Sequence, residues 1–202
     1  MRRRTTLGER RVASDAEADK AHLDVLMAEF KALRDEIGSR ATSSHTLINI
    51  NVVASGVLGG LVVNNPGRVE LLLLLPILSP ILGLLWIDHA HNIRNIGDYI
   101  GTTLRPAVNA VAGDDTGSLL GWEDYVDRYE QRSLLRFLPL GAPVIVLFAG
   151  IPLAALIRTT PDLGTVWQWC IWAAGALLTA SFIVLLLRFL GLPLLVRSGR
   201  KP

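Results

Sequence analysis

Four apolar runs, at 47–63, 69–87, 137–157 and 166–187, constrain this chain more than any other feature. Each comes close to the roughly 20 residues that a helix needs to cross the hydrocarbon core of a bilayer. With half of the 202 residues hydrophobic and a mean hydropathy of +0.40, the chain is too apolar for a soluble domain of this size. The expected fold is all-α: a polytopic helical membrane protein with four transmembrane helices and cytoplasmic helical extensions. Asn64, Asn65, Pro66, Gly67 and Arg68 form a compact turn between the first two runs. So short a turn makes them an antiparallel hairpin.

The placement of basic residues sets the expected orientation. Lys31, Arg34, Arg40, Arg94, Arg105, Arg128, Arg132, Arg136, Arg197, Arg200 and Lys201 lie near the span ends on one side, and only Arg68 and Arg158 on the other. By the positive-inside rule both termini are then cytoplasmic, in a multi-pass protein of the cell membrane. Trp167, Trp169 and Trp172 would form an aromatic belt at the outer interface.

Outside the spans, residues 1–14 are expected to be a mobile tail. Arg2, Arg3 and Arg4 are not followed by the apolar stretch of a signal peptide. Residues 15–103 are read as one region: a cytoplasmic helix, the two-span hairpin and a returning helix. Leu23, Leu26, Phe30, Leu33 and Ile37 recur at heptad spacing, as do Ile93, Ile96 and Ile100. About two heptads are too few for an independent coiled coil, so these faces are expected to cover each other. The segment 104–120 carries Pro106, Gly113 and Gly117 and is read as a loop. Region 121–202 would hold an interfacial helix with Trp122, Tyr125 and Tyr129 on one face, the last two spans and a basic tail.

The first span holds the candidate functional residues. At 100° per residue, His45, Asn49, Val53, Gly56 and Gly60 share one stripe; Ser44, Asn51 and Ser55 form another, with Gly59 at its edge. Gly56 and Gly60 are a GxxxG pair, the spacing at which helix backbones approach closely. An asparagine amide facing hydrocarbon would lack partners, so both stripes should be covered by protein or water. Two readings stand: helix packing within one bundle, or a pore lined by Asn51, Ser55 and Gly59 in a homo-oligomer. Pro76 and Pro80 remove helical N–H donors from the second span and are candidate hinges. Asp88, His91 and Arg94, with His89 and Asn92, form a candidate collar where that span leaves the membrane; no spacing among them matches a zinc pattern.

Several chemistries find no support. There is no GxSxG, HExxH, P-loop or GxGxxG, and no Asp, Glu or Lys at mid-depth of a span, as proton-coupled transporters usually have. The single Cys170 excludes an intrachain disulfide. No basic patch with interleaved aromatics suggests nucleic acid. The chain is therefore read as a non-enzyme without cofactor or metal, whose partners are the lipid bilayer, further copies of itself and possible cytoplasmic proteins.

Trp86-Ile87-Asp88 with Arg94, Ile96-Gly97 and Tyr99-Ile100, followed by Gly121-Trp122-Glu123-Asp124-Tyr125, resembles a group of small bacterial multi-span proteins. In layout, the helix, two-span hairpin and returning helix resemble the SLATT-type membrane effectors of bacterial conflict systems. That resemblance implies a bacterial inner-membrane protein that forms a pore, with two spans more than the pattern has; the polar stripes of the first span and the heptad seam outside it point to a homo-oligomeric pore or channel. It carries over no functional residue. A membrane-anchored scaffold or regulatory subunit, working through its cytoplasmic helices, is the alternative.

Overall fold

A computed structural model describes residues 7–113, 119–120 and 141–190, with side chains from residue 14 onward. The described residues are helical, with no strand among them. The elements are α1 (Leu7–Asn64), a 3-10 stretch (Pro66–Leu74) leading into α2 (Leu75–Tyr99), a π stretch (Ile100–Leu104) leading into α3 (Arg105–Ala112), a second π stretch (Val146–Gly150) leading into α4 (Ile151–Thr159), and α5 (Val166–Phe189). Four helices are long and apolar enough to cross a membrane: Ser14–Asn64, Pro66–Ala112, Gly141–Asp162 and Val166–Phe189.

Two boundaries differ from the sequence expectation. The helix begins at Leu7, inside the segment expected to be a mobile tail. Adding turns to an existing helix needs no new nucleus, and no proline precedes Pro66 to stop it. The segment 104–120 is not a loop throughout, because Arg105–Ala112 is helix α3. Pro106 falls in the first turn of α3, where a missing N–H is tolerated. Gly113, at φ 67°, closes α3 in the left-handed conformation that glycine adopts without strain. The expected interfacial helix at 121–136, the start of the third span and the basic tail lie outside the described residues.

Proline also dictates the remaining irregularities. Asn65 is pushed to φ −136°, ψ 80° ahead of Pro66, and Arg68 departs from helical geometry at φ −113°, ψ 34°, so the turn covers the residues expected of it before the chain winds on into α2. Leu75 N–H bonds the Leu72 carbonyl three residues back, supplying that oxygen in place of the N–H that Pro76 lacks. Both π stretches end two residues before a proline, Pro106 or Pro152. Widening the turn there keeps the proline ring off the carbonyl four residues back.

The chain divides into two compact units, Met1–Ser39 with Ile93–Arg132, and Arg40–Asn92 with Ser133–Pro202. The core of the first is Leu26, Ile100, Leu104 and Val108, flanked by Leu23, Phe30, Leu33, Ile37 and Ile96. The heptad face of α1 is thus covered by its own chain. Outside the core, Tyr99 Oη donates to Glu29 Oε1 at 2.8 Å, which raises the phenol above its ordinary range, and the Arg34 guanidinium lies 5.3 Å over the Phe30 ring.

The core of the second unit is Leu82, Val144, Phe148, Ala149, Phe182 and Leu186. Phe148 and Phe182 meet at 6.0 Å between ring centroids, and both are fully buried. Two glycines admit these contacts. A Cβ on Gly83 would stand 2.6 Å from the Phe182 ring, and one on Gly175 2.9 Å from Pro76.

The N-terminus of α5 carries a capping box that the sequence reading did not single out. Thr165 Oγ1 accepts from Gln168 N–H at 3.3 Å, and Gln168 Oε1 accepts from Thr165 N–H at 3.1 Å. Thr165→Ala should therefore lower the stability of the full chain by about 1 kcal/mol, read as a lower Tm in detergent.

Candidate functional site

The apolar part of α1, from Arg40 onward, has one face turned into its unit and one turned out. Leu47 and Ile48 pack against the Phe148–Phe182 core, and Asn51, one turn further, is fully buried. Asn51 Nδ2 donates to the Leu147 carbonyl at 3.0 Å, and Asn51 Oδ1 accepts from Ser79 Oγ at 2.7 Å. A single side chain thereby joins α1 to α2 and to the π stretch ahead of α4. Ser79 is itself fully buried.

The sequence explains why Leu147 needs this donor. In the π stretch, Ile151 N–H bonds the Val146 carbonyl, so it no longer serves Leu147 as it would in an α-helix. The next residue, Pro152, has no N–H to give. Nothing in the helix is left to donate to Leu147 O, and Asn51 does so from across the interface. Of the two readings of Asn51, helix packing within one bundle is the one whose contacts are present: Asn51 is enclosed by its own chain, where its amide is needed. Ser55, on the same stripe, has its Oγ buried without a partner among the described residues. Gly59 is half-buried beside it.

The other stripe has no such contacts. Val53 is 64% exposed, Asn49, Gly56 and Gly60 are exposed, and a Cβ built on Gly56, Gly59 or Gly60 would meet nothing within 4 Å. Within this chain the GxxxG pair packs against nothing described. Of the most apolar stretch of α1 only 6% is buried, against 39%, 33% and 22% for the other three candidate spans in chain order.

The candidate hinges lie in close packing. Pro76 and Pro80 are fully buried, with Pro76 against Gly175, and α2 runs through Pro80 without interruption. In the candidate collar, Asp88 accepts from Asn92 Nδ2 at 3.2 Å on its own helix, His91 and Arg94 are exposed, and His89 Nδ1 is buried without a partner among the described residues. Among the described residues no group of three or more His, Cys, Asp or Glu comes together to hold a metal ion.

At the other end of the unit, Trp172 Nε1 donates to the Leu156 carbonyl at 3.1 Å and ties α5 to α4. Of the expected belt, Trp167 and Trp169 stay exposed. Arg158 pairs with Asp162 at 2.7 Å. An open apolar groove of about 270 Å³ runs between α4 and α5, lined by Leu153, Leu156, Trp172, Ala176 and Ala180 among others.

Compared with family models, with curated proteins and with solved structures, the chain has no match.

Proposed function

We propose that this chain is a multi-pass protein of the cell membrane, with cytoplasmic termini, that works as a homo-oligomeric, channel-like assembly built on the outward face of its first span. The observation that supports this reading is the exposure of a stripe containing Asn49, Gly56 and Gly60 on the least buried of the candidate spans. A carboxamide facing lipid tails would leave two donors and an acceptor unsatisfied, an unfavourable arrangement that a neighbouring copy or a water-filled path relieves. Small residues at i and i+4 let a second helix approach closely enough to supply that cover. Because Asn51 is engaged inside the chain, the lining passes to His45, Asn49 and Val53.

The test is the oligomeric state of the full chain in nanodiscs together with ion flux through liposomes. Gly56→Ile with Gly60→Ile is expected to weaken association about tenfold or more, about 1.4 kcal/mol. Asn49→Leu is expected to change the flux. A strict monomer in sealed, tight vesicles would sink the proposal. An oligomer in tight vesicles would favour the scaffold reading, which has its own support in Val25 and Met27, large apolar side chains exposed on the charged part of α1.

A further inference from the structure

We infer that Asn51 is a releasable clasp, a positioning residue that holds the first span in one rotational setting by filling the hydrogen-bond vacancy Pro152 creates. Three observations carry this. The Leu147 carbonyl has lost both helical donors, one to the π register and one to proline, and Asn51 Nδ2 stands 3.0 Å from it. The same amide is held from its other side by Ser79 Oγ at 2.7 Å, so all three groups are satisfied only when α1 is docked. Beyond Leu47 and Ile48 against the core, little of the apolar stretch of α1 is enclosed, with 6% of it buried.

A helix held by so little burial and by a directional polar contact can exchange between a docked and a swung-away state. The clasp biases that equilibrium toward the docked state. An asparagine is suited to this work because it donates and accepts at once and carries no charge to desolvate. The docked setting also determines which stripe of α1 is turned outward, and in that respect the clasp regulates the face on which the proposed assembly rests. The clasp itself requires only the contacts of one chain.

The experiment uses the full chain with Cys170→Ser, one copy per nanodisc, spin-labelled through cysteines at the exposed positions Val52 and Leu153. Pulsed electron-spin distances then report the docked and undocked populations. Asn51→Leu is expected to raise the undocked fraction about tenfold. Pro152→Ala restores an N–H to the helix and should release Asn51, raising the undocked fraction by a similar factor. The double variant should exceed either single variant by no more than about twofold, because both changes remove the same contact. Ser79→Ala, which removes one leg and leaves the amide–carbonyl bond, should give about a twofold to threefold rise and keeps the test open if a larger change fails to fold.

A single unchanged distance in every variant overturns the clasp, and so do effects of Asn51→Leu and Pro152→Ala that multiply to about a hundredfold. Either result leaves the oligomer proposal standing. A strict monomer with a non-multiplying cycle does the reverse.

Discussion

Gly83→Val is expected to destabilise the full chain by about 3 kcal/mol or more, enough to prevent a stable bundle of α2, α4 and α5 in detergent. The first carbon added would stand 2.6 and 2.9 Å from the Phe182 ring and 3.0 Å from Phe148 Cβ. Elsewhere a side chain at that distance turns aside. Here Phe182 and Phe148 are both fully buried and lean on one another, so neither ring has a free direction, and the helices must separate instead. Gly56→Val is the control. Open space surrounds that position, and the fold should change by no more than about 0.5 kcal/mol. Thermal melting of both variants in one detergent checks the pair, and equal Tm values would contradict the close packing at Gly83.

Ile100→Asp should unfold the Leu26–Ile100–Leu104–Val108 core while leaving the second unit intact. Ile100 is fully buried and its neighbours in that cluster are apolar. A carboxyl there has its pKa raised by burial, by about 3–5 units for a fully enclosed group; at neutral pH, about 3 units above the unfolded carboxyl's value, this costs about 4 kcal/mol. That is a large part of the stability of a small unit. The sign of the pH dependence follows from the raised value. The penalty is full above the folded-state pKa, shrinks as pH falls through it, and vanishes below the unfolded-state pKa. Hydrogen exchange is the suitable measurement. Amides around Leu26 and Val108 should lose protection at neutral pH and regain part of it in acid, while those around Phe182 keep theirs. Protection lost equally in both units would mean that the two cores are not separate.

The two predictions depend on different kinds of information. Ile100 was legible as a core residue, because Ile93, Ile96 and Ile100 repeat at helical spacing and Leu26, Phe30 and Leu33 answer them. Gly83, beside Pro76, Ser79 and Pro80 in the second span, carries no signal that assigns it a contact. A glycine in an apolar run looks the same whether it faces lipid or a phenyl ring, and only the approach of α5 tells the two apart. Gly56 and Gly60 carried the recognisable spacing, yet among the described residues they touch nothing, while Gly83 and Gly175 make the close contacts without any such motif. Spacing reports that two backbones are able to approach. It does not say which helix arrives.

Proline shows the same division at closer range. That Pro66 would turn the chain followed from its missing N–H and from the restriction it places on Asn65. Pro106 was read as a breaker by the same rule, but a π stretch and a place in the first turn let the helix continue to Ala112. Local chemistry says that an N–H is missing. Whether the helix stops, tightens to 3-10 or widens to π depends on what can take up the carbonyls left over.

The four long apolar helices, the tight turn between the first two and the polar stripes of the first were all readable from the residues, because length, hydropathy and helical periodicity are local properties. That an asparagine in such a helix must find partners was equally plain. That Asn51 finds them in Ser79 and Leu147, and that Asn49 is left facing outward, came from the packing of the helices. Partner choice is a property of the interface, and the vacancy that Asn51 fills exists only because a proline on another helix, far away in the chain, has no hydrogen to give.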